Sequence, residues 1–135
     1  MSPTKLILLY LLTVPVFFAI DMIWLGFIAR NFYKIQLGSL LREDVIWWAA
    51  ILFYLLFIFG ILYYAVIPAH ISGNVLRAFF LGALFGFFTY MTYDLTNYAL
   101  IKNWPLKIVF VDILWGTVLC ALVSSVSFYI ARFLS

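Results

Sequence analysis

Charge is what this chain has least of: Asp, Glu, Lys and Arg together make up 10% of its 135 residues. Soluble domains average about 25% charged residues, so a water-facing surface could not be solvated here. No polar stretch is long enough to form a soluble domain either. A single cysteine, Cys120, excludes an internal disulfide and a cysteine-built metal cage. In the apolar run from Val118 to Leu122 it reads as a small packing residue. With one histidine, His70, there is no Cys/His cluster, and no H-E-x-x-H or G-x-S-x-G signature occurs. His70 itself reads as a headgroup-level loop residue with no special chemistry. The net charge of +3 is carried by eight Lys and Arg scattered singly at segment ends. That distribution anchors helices in headgroups and excludes nucleic acid as a partner.

What is present is apolar: 68% of the chain is hydrophobic and 21% aromatic. The lipid bilayer is therefore its main partner. Four runs are long enough to span, at about 6–28, 45–67, 75–100 and 105–133. The first reads as an uncleaved helix. It lacks an A-x-A-like site, and Asp21-Met22-Ile23-Trp24 follows where small residues should stand. Pro15 is expected to kink it. Residues 29–44 carry mixed charges and apolar residues, so they form either a solvated loop touching headgroups or a short interfacial helix broken at Gly38-Ser39. Pro68, His70, Ser72 and Gly73 predict a tight turn, and Pro105 is expected as the first residue of the last helix. Ser124, Ser125 and Ser127 are expected to bond carbonyls of their own helix. Short links make the expected fold an all-α, up-down four-helix transmembrane bundle, with 1–135 as one domain. Gly82 and Gly86 allow a close helix approach, with packing inside one subunit as the expected use.

Three carboxylates break the apolar runs: Asp21, Asp94 and Asp112. A carboxylate inside a spanning helix costs about 2.5–3.5 kcal/mol on insertion scales, so each asks for a reason. Asp21 and Asp94 precede the ends of the first and third helices, and Asp112 follows the start of the fourth. In an up-down bundle these ends share one side. At 1.5 Å per residue all three acids then sit roughly 10 Å inside the same face. Tyr90, Tyr93 and Asn97 are expected in the same layer, with Asn97 and Tyr93 orienting Asp94, and Trp24 and Trp115 walling the site. The pattern Asp-x-x-Trp occurs at both Asp21/Trp24 and Asp112/Trp115.

Three ionised carboxylates in a low-dielectric layer repel, so they must be protonated, paired with a cation or open to water. The residues leave three readings open. One is a site that binds or conducts a proton-linked or cationic species. The second is a membrane-embedded enzyme or enzyme subunit acting on a lipid or isoprenoid, with the acids as general acid/base or as Mg²⁺ ligands. The third is structural: protonated acids bonded to Asn97, Tyr and Trp as a polar clamp that holds the bundle together, or the chain as an accessory of another membrane protein. Asp94-Leu95-Thr96-Asn97 only approximates the D-x-x-D pairs of Mg²⁺-dependent transferases. The sequence leaves any cofactor unknown. Four helices enclose too narrow a path for a wide solute, so a transporter would have to be a homo-oligomer or have a membrane-protein partner.

Loops 1 and 3 carry Arg30, Lys34, Arg42, Lys102 and Lys107, against Lys5, Arg77 and Arg132 on the other side. The excess of basic residues favours loops 1 and 3 in the cytoplasm. The motifs Asp21-Met22-Ile23-Trp24-Leu25-Gly26, Asn31-Phe32-Tyr33, Gln36-Leu37-Gly38, Tyr93-Asp94-Leu95-Thr96-Asn97, Trp104-Pro105 and Asp112-Ile113-Leu114-Trp115-Gly116-Thr117 cover nearly the whole chain. In them the sequence resembles the small bacterial inner-membrane proteins catalogued as domain of unknown function 2177. The resemblance implies a four-helix protein of the bacterial inner membrane and carries over no activity.

Overall fold

The computed structural model describes all of residues 1–135. Helix α1 spans Pro3–Ile23 and continues into a π turn at Trp24–Ile28. Ser2 caps it, its hydroxyl accepting from the Lys5 N–H. A short helix α2 follows at Arg30–Leu37 and ends in a 3₁₀ turn at Gly38–Leu40. Gly38 adopts φ +49°, a conformation open to glycine at little cost, so the break expected at Gly38-Ser39 is found there. Helix α3, Trp47–Ile61, passes through a π turn at Leu62–Val66 into α4, Ile67–Ser72. Helices α5, Val75–Leu100, and α6, Leu106–Leu134, complete the chain. Four helical spans, 3–28, 47–72, 75–100 and 106–134, are long and apolar enough to cross a membrane. The protein is an all-α membrane bundle.

Three expectations need correcting. Pro68, His70 and Ser72 do not form the second turn, because the second span runs through Ser72 and turns only at Gly73, with φ +70°. The π turn just before Pro68 loosens the i→i−4 ladder where the ring would otherwise clash and where its missing N–H would leave a gap. His70 thus lies on a helix, with Nε2 2.9 Å from the Ser135 hydroxyl. Pro105 is the cap before α6, with φ −73° and ψ 135°, rather than its first helical residue. Only Ser125 among the three late serines bonds its own helix, to the Ala121 carbonyl. Ser127 reaches across to Thr13 at 2.5 Å, and Ser124 is buried with an unpartnered hydroxyl. Helix α1 continues through Pro15 without interruption.

The tightest contact is between α5 and α6. Gly82 lies on the Cys120 carbonyl and Ser124, Gly86 on the Gly116 carbonyl, and Gly116 under the ring of Tyr90. A Cβ at any of the three would strike these neighbours. The contact row on α5 steps by four, through Gly82, Gly86, Tyr90 and Asp94, as ridge-into-groove packing requires. The glycine pair therefore packs inside the chain. Helix α1 also presents a row in steps of four, with Leu9, Thr13, Phe17 and Asp21 buried. Phe17, Ile58, Ile61, Leu119, Cys120 and Val123 form the dry centre of the bundle.

Gly86→Val should force α5 and α6 apart and lower stability in detergent by about 1–3 kcal/mol, the usual cost of overpacking. Gly26→Ala serves as the control, since no atom lies within 4 Å of a Cβ there. Thermal unfolding followed by circular dichroism checks this. Equal melting of the two variants would contradict the packing.

Candidate functional site

Asp94 is the last member of the α5 contact row, so the packing that seats Gly82 and Gly86 on α6 also turns Asp94 inward. It is fully buried, and neither carboxyl oxygen has a hydrogen-bond partner. Its carboxyl lies beside that of Asp112 on α6. Asp112 is half-buried, and its Oδ1 accepts from the Tyr33 hydroxyl at 2.8 Å. Tyr33 in turn accepts from the Trp24 indole N–H at 3.2 Å. Helix α2 thus folds back under the bundle to reach the acid on α6.

Asp21, buried on α1, is differently provided for. Its Oδ1 accepts from the Trp115 indole N–H at 3.1 Å and its Oδ2 from the Tyr54 hydroxyl at 3.3 Å. Both donors are neutral, and they hold the carboxyl between α1, α3 and α6. Asp112 is within electrostatic reach of it. No three acid, histidine or cysteine side chains approach closely enough to hold a metal ion together. The acids therefore divide into an adjacent pair, Asp94 with no partner and Asp112 bonded by Tyr33, and a neighbour, Asp21, with both oxygens bonded.

The two tryptophans stack on each other, with centroids 4.7 Å apart and planes within 10°. They were expected as walls, and they also act as donors, one to Asp21 and one to Tyr33. Tyr93 and Asn97 do not orient Asp94, which has no partner at all. One residue along a helix turns the side chain by about 100°. Tyr93 accordingly sits on a neighbouring face of α5, half-exposed, with its ring 5.8 Å from that of Trp104. Tyr90 covers Gly116 and touches the Phe57 ring. The hydroxyls of Thr89, Thr92 and Thr96 turn back onto carbonyls of α5, so much of that polar stretch is locally satisfied. Sequence reasoning passed over Tyr33 and Tyr54 as site residues. The motif Asn31-Phe32-Tyr33 carried the one available signal for Tyr33; nothing distinguished Tyr54 from the other ring residues of its helix.

A groove of about 480 Å³ leads to the pair, lined by Phe53 and Phe57 of α3, Thr89, Tyr90 and Tyr93 of α5, and Asp112. It lies between α3 and α5, ahead of the π turn at Leu62–Val66 that packs the second span onto α5. Phe53 and Tyr93 are about half exposed on spanning helices, so the groove opens sideways, toward lipid.

Fold and site together define a small polytopic membrane protein with a buried carboxylate cluster near one end of the bundle. Residues 6–129 match the family described as predicted membrane proteins, DUF2177, and the chain belongs to it. No curated protein and no solved structure matches it.

Tyr33, which lies outside the spans, has its hydroxyl pKa raised above the ordinary 10.0, first by burial and then by the Asp112 charge. A raised folded-state pKa means that the fold favours the neutral phenol. This contribution to docking α2 is whole below pH ~10 and is lost as pH climbs toward the raised value. Tyr33 tyrosinate absorbance, taken as wild type minus Tyr33→Phe, should appear only above the range of exposed tyrosines and together with release of α2. At neutral pH Tyr33→Phe should cost about 1.5–3 kcal/mol of α2 docking, the range for a bond to a charged group. Hydrogen exchange over residues 30–37 reads it; unchanged protection there would contradict the tie.

Proposed function

We propose that this chain is a bacterial inner-membrane protein that binds a proton-linked or cationic species between Asp94 and Asp112. The single observation that carries the reading is Asp94, wholly buried beside a second carboxyl with both oxygens unpartnered. Two adjacent carboxylates in a low-dielectric site cannot both stay ionised without a positive charge nearby. No Lys, Arg or His makes an ion pair with either; Asp94 has no donor at all, and Asp21 and Asp112 meet only tyrosine and tryptophan donors. The missing charge is then a proton or a bound cation. Asp21, with both oxygens occupied, holds Trp115 in position.

Binding is favoured over conduction. Between the acid layer and the pair Thr13 with Ser127 lie Phe17, Leu119, Cys120 and Val123, all buried and apolar, broken by the single hydroxyl of Ser124. A charged species would have to cross that largely apolar stretch. With loops 1 and 3 in the cytoplasm, as the basic residues favour, the pair is reached from the cytoplasmic half of the membrane.

The test is thermal unfolding in detergent of wild type and Asp94→Asn across pH and across Na⁺, Mg²⁺, Ca²⁺ and propylammonium. A cation at about a hundred times its Kd adds about 2.7 kcal/mol to the folded state. At least one cation, or a change of pH, should shift the wild-type Tm and leave that of Asp94→Asn unmoved. A variant that responds to every condition as the wild type does would overturn the reading.

A further inference from the structure

We propose that the groove between α3 and α5 admits a lipophilic amine from the bilayer, so that its ammonium head reaches Asp112 between aromatic rings. This rests on the carboxylate pair being a cation site and names the class of cation. Four rings, those of Phe53, Phe57, Tyr90 and Tyr93, line the groove, and its one acid is Asp112. Aromatic faces attract organic ammonium groups, and more strongly where water is excluded. A small metal ion prefers several oxygen ligands, and no three acid, histidine or cysteine side chains come together here to hold one. No basic residue lines the groove to repel a cation.

The direction of entry argues for an apolar body on that head. The groove opens on the flank of the bundle, where half-exposed Phe53 and Tyr93 belong to spanning helices. Access from the water side is covered by α2, whose Tyr33 is bonded to Asp112. A tail confines the amine to the bilayer and raises its effective concentration at the groove. Tyr54 stands on the same helix as Phe53, and its hydroxyl is engaged by Asp21. The rings of the groove contact one another, Phe53 stacked on Phe57 at 5.2 Å and Phe57 edge-on to Tyr90 at 6.1 Å. The lining is thus packed before any ligand arrives.

Protein in nanodiscs of phosphatidylglycerol is titrated at neutral pH with dodecylamine, propylammonium, Na⁺ and dodecanol, and Tm is read. Dodecylamine should stabilise the wild type at a concentration about tenfold or more below that needed for propylammonium, through its confinement to the bilayer. Dodecanol should give no shift, Asp112→Asn should lose the dodecylamine shift, and Phe53→Ala should weaken it. If propylammonium or Na⁺ acts as strongly as dodecylamine, the pair is a cation site but the lipophilic amine is overturned. A dodecanol shift equal to that of dodecylamine overturns it as well, leaving an apolar groove. If no cation shifts the wild type, this inference falls, and the pH arm with Asp94→Asn decides the carboxylate reading separately.

Discussion

The close approach of α5 to α6 is the contact on which the rest of this molecule depends. Three glycines remove the side chains that would hold the two backbones apart. In lipid there is little hydrophobic drive between helices, so such contact rests on van der Waals packing. The same row that carries Gly82 and Gly86 carries Asp94. Its burial is therefore a geometric consequence of the packing, and so is its position beside Asp112. A site that would be costly for a helix exposed to lipid is held in place by the tightest seam of the bundle.

The other elements complete the site from two directions. Helix α1 supplies Asp21, and α3 supplies Tyr54 to satisfy it. Helix α2 lies across the end of the bundle, where its Tyr33 donates to Asp112 and accepts from Trp24. The apolar core beyond the acids closes the opposite side. What remains open is the flank between α3 and α5. Access from one end is covered, the far side is dry and the lateral route is lined with rings, which suits a binding site fed from the membrane.

Much of this was legible in the sequence because membrane spans are written in length and apolarity. Residues 75–100 were placed to the residue, and the common level of Asp21, Asp94 and Asp112 followed from alternating helix direction. The orientation of single side chains was harder. These helices are apolar all round, since lipid and core are both apolar solvents, so periodicity could not separate the buried face from the lipid face. That is why Tyr54 was invisible among Phe53, Leu55 and Leu56, and why Tyr93 and Asn97 seemed natural partners for Asp94. Pro68 misled for a different reason: a π turn, which no local residue signal announces, carried the helix past it.

A double-mutant cycle of Asp94→Asn and Asp112→Asn, measured by reversible unfolding in detergent at one pH, tests the central claim most directly. If the two acids form one unit that shares a single positive charge, either substitution alone removes most of the repulsion. The double substitution should then add little, giving a coupling energy above about 0.5 kcal/mol. Effects of the two substitutions that simply sum would mean the carboxyls act independently and would contradict the account.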